Sequence, residues 1–211
     1  MTKIKICGVR RVEDIKSVNK YLPEFVGFVF APSRRQVDIE TVKMLSGNLD
    51  KRIKKVGVFV NESGQKVAET AGQCGLDVVQ IHGDESPEYI NSLRGTLACS
   101  PKKVEIWKAL RVKDNNSLKI MEMYSADAFL LDAYIEGSYG GAGKVFDWSM
   151  AASAGKMGKI ILAGGLSRSN VREAIRVLRP YSVDVSSGVE SDGWKDETKI
   201  REFICTVRNY E

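Results

Sequence analysis

A thiol and two carboxylates end or interrupt three short apolar runs of the chain. Cys7 ends KIKIC, Asp132 lies in AFLLDA and Asp184 lies in SVDVSS. Cys7 is either a small buried hydrophobic residue or a group presented to a ligand. Asp132 is either an acid, base or ligand-orienting group, or a capping or ion-paired residue. A carboxylate inside a strand needs partners, so for Asp184 we expect ligand contact or orientation of another group.

Two stretches, AGGLSRSN and VSSGVE, have the features of a phosphate site. Glycines allow backbone N–H groups to approach an anion, and a helix N-terminus adds a favourable partial charge. The first stretch precedes a helix that we expect Ser169 to cap, and the second offers two hydroxyl groups. Two ordinary glycine turns are the alternative interpretation. We predict a phosphate site that contains Gly164, Gly165, Ser186, Ser187 and Gly188.

Further polar candidates follow the second and fourth strand-like runs. The pair Arg34 and Arg35 either binds a carboxylate through a guanidinium fork or forms a solvated basic turn. Gln80 and His82 lie in VVQIHG. A lone histidine beside glycine is more often a structural hydrogen-bonding residue than a base or a metal ligand. We keep Arg35, Gln80 and His82 as candidate substrate-binding residues.

The glycine-rich stretch GSYGGAGKVFDW, residues 137–148, is similar to nucleotide-binding loops but does not match one. The pattern G-x-x-x-x-G-K-[ST] needs glycine at Ser138 and a hydroxyl group at Val145. We interpret the stretch as a long lid over the site, followed by a helix capped by Asp147. Gly141 is therefore a predicted substrate-binding residue. A solvent loop without a function is the alternative.

Eight strand-like runs alternate with eight helical candidates, and they position these groups. The runs are 3–7, 25–30, 55–60, 78–83, 104–110, 128–133, 159–165 and 182–188. The helical candidates are 11–22, 39–49, 63–75, 86–95, 115–124, 147–155, 169–179 and 197–210. This alternation indicates parallel strands, and the count predicts a single-domain (β/α)8 barrel over residues 1–211. The alternative is an open, doubly wound sheet, but no nucleotide fingerprint supports it. Active sites of such barrels lie where strands end, as the candidates do.

The composition excludes several classes of function. The chain has 211 residues, of which 43% are hydrophobic and 28% charged, and no apolar run approaches the length of a membrane span. The N-terminus has no apolar targeting segment, so we expect a cytoplasmic protein with free thiols. The net charge of +5 is spread along the chain, which suits a small anionic substrate better than nucleic acid. One histidine and four separated cysteines predict no metal site.

Eight motifs together resemble the phosphoribosylanthranilate isomerases of tryptophan biosynthesis, a family of (β/α)8 barrels. In chain order they are KICGVRRVED, GFVFAPSRR, VGVFVN, VVQIHGDE, LLDA, GGAGKVFDW, LAGGLSRSNV and VDVSSGVE. They cover nearly the whole chain, and their combination is highly specific. One departure is DGWKD at 192–196, where the family commonly has PGxKD.

The resemblance implies an Amadori rearrangement without a metal or organic cofactor. N-(5-phosphoribosyl)anthranilate would become 1-(2-carboxyphenylamino)-1-deoxyribulose 5-phosphate. Asp132 matches the general acid that protonates the furanose ring oxygen, and Cys7 matches the base that removes the proton from C2. Arg35 matches the residue that binds the anthranilate carboxylate, and the glycine and serine loops match the phosphate cradle. Gln80 and Asp184 match polar positions near the substrate.

Other functions stay open at this point. A bifunctional isomerase that also acts in histidine biosynthesis usually has aspartate where Cys7 stands. Indole-glycerol-phosphate synthases typically have a segment before the first strand, which here is predicted from residue 3, and ribulose-phosphate epimerases need metal-binding histidines. A non-catalytic sugar-phosphate sensor would not need both Cys7 and Asp132. We expect a monofunctional monomer or homodimer that binds a phosphosugar and neither nucleic acid nor membrane.

Overall fold

A closed barrel of eight parallel strands forms the centre of the fold. The computed structural model describes residues 1–112, 120–133 and 158–209. Each strand pairs with the next along the chain, and the last pairs with the first to close the ring. The strands are β1 (Lys3–Cys7), β2 (Phe25–Val29), β3 (Lys54–Phe59), β4 (Val78–Ile81), β5 (Glu105–Val112), β6 (Ala128–Ala133), β7 (Ile160–Leu162) and β8 (Ser182–Val185). The predicted (β/α)8 barrel is confirmed.

Helices that follow the strands cover the outside of the barrel. They are α1 (Val12–Tyr21), α2 (Ile39–Ser46), α3 (Gly64–Cys74), α4 (Pro87–Leu97), α5 (Val171–Leu178) and α6 (Glu197–Arg208). Four of them begin where a side chain accepts a hydrogen bond from a first-turn N–H group, namely at Asp38, Ser63, Ser86 and Asp196. None of the helices in the described ranges is long and apolar enough to span a bilayer.

The prediction that Ser169 caps a helix is wrong. The helix α5 begins after Asn170, and the Ser169 hydroxyl lies 2.8 Å from the Ser167 hydroxyl. Asn170 instead organises the preceding loop, since its Oδ1 accepts from the Ser167 N–H at 2.8 Å and its Nδ2 donates to the Gly165 carbonyl at 2.9 Å. Asn170 therefore occupies the N-cap position without a side-chain cap hydrogen bond, because its amide group bonds to the loop instead.

Other predicted elements differ in their bounds. Of the candidate helix 115–124, residues Ile120–Met123 form a 3₁₀ turn, and 115–119 lie outside the described residues. The candidate helix 147–155 and the predicted lid at 137–148 also lie outside them. The strand predicted to run to residue 165 ends at Leu162. Gly164 and Gly165 have φ angles of +84° and +66°, which turn the chain out of the strand direction.

The inward-facing side chains are apolar in the interior of the barrel and polar toward the carboxyl ends of the strands. Side chains alternate along a strand, so every second residue faces the barrel axis. Phe25 and Trp107 meet edge to face with ring centroids 4.9 Å apart, and they belong to an apolar cluster inside the barrel. Other members of this cluster are Val56, Val78, Ala128, Leu130 and Ile161. Later inward positions on the same or neighbouring strands carry the polar candidates Gln80, Asp132 and Asp184.

A short hairpin after β8 was not predicted. It consists of β9 (Glu190–Ser191) and β10 (Trp194–Lys195), which pair antiparallel. Asp192 and Gly193 form the turn with φ angles of +51° and +79°, as the favoured two-residue hairpin turn requires. The Asp-Gly pair was a sequence signal for this hairpin.

The hairpin docks on the loop that follows β1. The Arg10 and Arg11 guanidinium carbons lie 3.8 and 4.3 Å from the centre of the Trp194 ring. Arg11 also donates to the Lys195 carbonyl at 3.1 Å, and Arg10 to the Gly193 carbonyl at 2.6 Å. Cation–π contacts and hydrogen bonds therefore hold the hairpin beside the end of the strand that carries Cys7.

Candidate active site

A cavity of about 350 Å³ opens at the carboxyl end of the barrel. Ten residues predicted from the sequence line it, namely Cys7, Arg35, Gln80, His82, Asp132, Gly164, Gly165, Asp184, Ser186 and Ser187. Gly188 is not among the lining residues, and Gly141 lies outside the described part of the chain. Parallel strands bring their carboxyl ends to one rim, which explains why residues so distant in sequence meet here.

Cys7 is a buried free thiol at the end of β1. Burial raises the pKa of the Cys7 thiol, Lys5 and Lys195 oppose this effect, and Asp184 reinforces it. The thiol has room because β2 carries glycine beside it: a Cβ atom on Gly27 would lie 2.8 Å from the Cys7 sulfur. Gly27 is a site residue that the sequence analysis missed.

Lys5 and Asp184 form a buried ion pair next to the thiol. The Lys5 ammonium lies 2.9 Å from Asp184 Oδ2, and the lysine side chain is fully buried. Burial disfavours the ammonium, but Asp184 and Cys7 outweigh it, so the pKa of Lys5 lies above its usual value. Asp184 Oδ1 has no hydrogen-bond partner among the described residues. A hydroxyl group of a ligand would satisfy this oxygen.

His82 connects Gln80 with Asp132. Gln80 Nε2 lies 2.8 Å from His82 Nδ1, and His82 Nε2 lies 3.4 Å from Asp132 Oδ2. An amide nitrogen can only donate, so in this arrangement Nδ1 accepts and Nε2 carries the ring hydrogen toward Asp132. The contact with Gln80 therefore holds the ring, and His82 Nε2 faces the candidate acid without a hydrogen-bond partner among the described residues.

Arg35 lies across the end of β1 and is paired with a carboxylate that the sequence analysis missed. Its Nε and Nη2 atoms donate to Glu190 Oε1 and Oε2 at 2.7 and 2.8 Å. Lys195 lies 2.7 Å from Glu190 Oε1, and Arg34 lies 3.3 Å from Oε2. Burial alone would raise the pKa of Glu190, but Arg35 and Lys195 lower it to about 2. Glu190 follows directly on the SSGV of the predicted phosphate loop.

The two predicted phosphate loops are packed against each other and against the thiol strand. A Cβ atom on Gly188 would collide with the Leu166 carbonyl oxygen, so glycine allows the loops to approach. The Ser186 hydroxyl donates to the Cys7 carbonyl at 3.0 Å, and Lys195 Nζ donates to the Ser186 carbonyl at 3.0 Å. Burial lowers the pKa of Lys195, and Glu190 opposes that shift.

The described residues of the site do not form a metal-binding cluster. Among residues 1–112, 120–133 and 158–209, no group of three or more histidine, cysteine, aspartate or glutamate side chains is placed to hold a metal ion. The arrangement combines an acid, a thiol and glycine loops suited to an anion within one cavity. The carboxyl group and the thiol could transfer protons, and the glycine loops could bind a phosphate of the same substrate.

Comparisons with known proteins agree on one family. The family model of N-(5'phosphoribosyl)anthranilate (PRA) isomerase matches residues 4–206. An N-(5'-phosphoribosyl)anthranilate isomerase of Acetivibrio thermocellus is 58% identical over 210 residues, which are 99% of this chain and 96% of that protein.

Solved structures agree as well. Crystallised monomers generated from the dimeric phosphoribosylanthranilate isomerase of Thermotoga maritima give a TM-score of 0.85 at 34% identity, over 99% of this chain and 100% of that one. A phosphoribosyl anthranilate isomerase in complex with reduced 1-(o-carboxyphenylamino)-1-deoxyribulose 5-phosphate gives 0.82 at 34% identity, with the same coverage.

Proposed function

This chain belongs to the N-(5'-phosphoribosyl)anthranilate isomerase family, and we propose that Cys7 and Asp132 perform the reaction of that family here as base and acid. The activity is the isomerisation of N-(5-phosphoribosyl)anthranilate to 1-(2-carboxyphenylamino)-1-deoxyribulose 5-phosphate in tryptophan biosynthesis. The observation that carries the assignment of roles is that a thiol from β1 and a carboxyl group from β6 line the same cavity.

Substrate binding uses the two charged ends of the ligand. The loops after β7 and β8 receive the phosphate through their backbone N–H groups and the hydroxyl of Ser187, whereas the Ser186 hydroxyl stays bonded to the Cys7 carbonyl. Arg35 receives the anthranilate carboxylate. Asp184 Oδ1, which lacks a partner among the described residues, accepts from a sugar hydroxyl group. These contacts hold the sugar between Cys7 and Asp132.

The first step opens the furanose ring. Asp132 gives its proton to the ring oxygen as the bond from that oxygen to C1 breaks, and the nitrogen lone pair forms a C1=N double bond. The product is a protonated Schiff base, and Asp132 is left as a carboxylate. The His82 Nε2–H group, 3.4 Å from Asp132 Oδ2, stabilises that carboxylate.

The second step moves the double bond. Cys7 as a thiolate removes the proton from C2, and the electrons of the C2–H bond form a C1=C2 double bond while the C=N electrons return to nitrogen. The resulting enolamine loses its hydroxyl proton, gains a proton at C1 and becomes the 2-ketone. The protonated Schiff base makes the C2 proton acidic enough for a thiolate to remove.

A fluorescence assay tests this proposal. Purified protein added to freshly prepared phosphoribosylanthranilate should quench the substrate fluorescence at a rate proportional to protein concentration. Cys7→Ser and Asp132→Asn should each lower kcat by at least about 100-fold, the usual size of a lost general acid or base. Cys205→Ser is the matched control, because that cysteine is an exposed free thiol. Undiminished turnover in both site variants would refute the assigned roles.

We also propose that the chain is a single barrel domain that acts in the cytoplasm as a monomer or homodimer. The described cysteines are free thiols, which suits a reducing compartment. The structural comparison with monomers generated from a dimeric enzyme supports either oligomeric state. Light scattering coupled to size-exclusion chromatography measures the mass, and 23.4 kDa is the mass of one chain.

A further inference from the structure

We propose that Glu190 is a positioning residue: it holds one edge of the Arg35 guanidinium so that the other edge faces the ring carboxylate of the substrate. This inference rests on the proposed function, in which Arg35 binds that carboxylate. Glu190 lies on the hairpin after β8, whereas Arg35 lies in the loop after β2, 155 residues earlier in the chain.

The guanidinium geometry carries the argument. Glu190 engages Nε and Nη2, which form the side edge of the planar group. The edge formed by Nη1 and the second N–H of Nη2 remains, and no acceptor within the described residues takes Nη1 of Arg35. This edge can bind a second carboxylate through two parallel hydrogen bonds. Arg35 also lines the cavity, and we assign this edge to a ligand bound there.

Both partners are fixed before a ligand arrives. The Glu190 side chain is 5% exposed and its backbone carbonyl accepts from Lys199 Nζ at 2.7 Å. The stem of Arg35 lies over Gly8, where a Cβ atom would come within 2.5 Å of Arg35 Cδ. A bound ligand therefore loses little affinity to the ordering of the arginine, because Glu190 has already ordered it.

The charged side chains around Glu190 have a net positive charge, which favours binding of a second carboxylate. Arg34, Arg35 and Lys195 carry three positive charges around the single negative charge of Glu190. A substrate carboxylate thus enters a region of net positive charge although a carboxylate is already present. Replacing Glu190 by a neutral residue would increase this positive charge, which opposes any loss of orientation. A variant that shortens the side chain and keeps its charge separates the two effects.

Glu190→Asp is that variant. Its carboxylate is one methylene shorter, so it cannot reach both nitrogens of Arg35 while the hairpin stays in place. Isothermal titration calorimetry would compare two ligands: reduced 1-(o-carboxyphenylamino)-1-deoxyribulose 5-phosphate and its counterpart without the ring carboxylate. We expect Glu190→Asp to weaken binding of the carboxylated ligand by about tenfold or more, as for a lost charge-assisted hydrogen bond, and of the other ligand by less than about twofold. Equal weakening of both ligands, or no weakening, would overturn the inference.

A second variant keeps the test decisive if Glu190→Asp does not fold. Glu190→Gln has the same length but one acceptor oxygen instead of two, so it cannot form the two parallel hydrogen bonds to Nε and Nη2. We expect a carboxylate-specific loss that is smaller than for Glu190→Asp, because the increased positive charge opposes it, whereas tighter binding of the carboxylated ligand would show that Glu190 acts only through its charge. In an Arg35→Ala background, either substitution should have little further effect, since residues that act through one another are not additive.

Turnover and ligand binding of the wild-type protein distinguish a failure of this inference from a failure of the proposed function. If it neither converts phosphoribosylanthranilate nor binds the carboxylated ligand, the proposed function fails. If it does both and the Glu190 variants keep their preference for the carboxylated ligand, only the positioning role fails.

Discussion

Lys5 and Asp184 lie opposite each other on β1 and β8, and their side chains meet at 2.9 Å inside the barrel. Cys7 lies two residues after Lys5 on the same inward face. The ion pair therefore joins the two strands that close the barrel and also lies next to the candidate base. Burial has the largest effect on the pKa of the thiol and raises it, while Lys5 lowers that pKa and Asp184 raises it, so the pair adjusts how readily the buried Cys7 becomes a thiolate.

Asp184→Asn should lower the pKa of Cys7. The substitution removes the negative charge that raises the thiol pKa and leaves the ammonium of Lys5 without its partner. The ultraviolet absorbance of the thiolate, with the absorbance of a Cys7→Ser version subtracted, would follow the titration. Lys5→Met is the opposing control, since loss of the ammonium should raise the same pKa. A titration midpoint unmoved by either substitution would contradict this account of the thiol environment.

Alkylation of Cys7 should become faster as the pH rises beyond neutrality. Burial raises the pKa of the Cys7 thiol, and only the thiolate is the nucleophile in alkylation. Only a small fraction of the protein then has the thiolate at neutral pH, and the alkylation rate should increase about tenfold per pH unit until the thiol titrates, above its usual range. Iodoacetamide labelling of the wild type over a range of pH, with the labelling of Cys7→Ser subtracted, would measure this dependence. A plateau that begins below neutral pH would be inconsistent with a thiol whose pKa is raised by burial.

Gly27→Ala should impair catalysis more than a glycine change elsewhere. The added Cβ atom would lie 2.8 Å from the Cys7 sulfur and 3.2 Å from Lys5 Cε, so the thiol must move. A displacement of about 1 Å commonly costs about 100-fold in rate. Gly72→Ala is the matched control, because the added atom meets nothing within 4 Å and lies inside α3. That control should keep its activity and gain about 0.5 to 1 kcal/mol of free energy of unfolding.

The sequence predicted the barrel and most of the cavity lining because both depend on local features. Alternating strands and helices indicate the fold, and the end of a strand indicates the rim of the barrel, so Cys7 and Asp132 could be placed there. The predicted cap at Ser169 was wrong because the next residue also favours caps. Gly141 and the lid remain predictions, since they lie outside the described residues.

The contacts that affect the ionisation of Cys7 and the orientation of Arg35 could not be predicted from the sequence. Lys5 and Asp184 are 179 residues apart, and their contact depends on the register of β1 against β8. Glu190 reaches Arg35 because a hairpin folds back over the end of β1. The sequence marked Asp184 as a strand carboxylate that needs partners, but Lys5 and Glu190 look like ordinary surface residues in it. Only their burial and their distances in the fold distinguish them.

Ionised Glu190 should also contribute to the free energy of unfolding, and this contribution should be lost at acidic pH. In the unfolded chain a glutamate binds a proton near its usual pKa of 4.5, whereas Arg35 and Lys195 hold the pKa of folded Glu190 at about 2. As the pH falls through this interval, protonation favours the unfolded chain, so the contribution is full above about 4.5 and lost toward 2. It amounts to less than about 3 kcal/mol, because solvent screening reduces the full value that this shift would give. Urea unfolding of the wild type and Glu190→Gln at several pH values measures it: the difference in free energy of unfolding should be constant from neutral pH to about 4.5 and should decrease as the pH falls further. A difference that is independent of pH would mean that Glu190 is not held as a carboxylate by its partners.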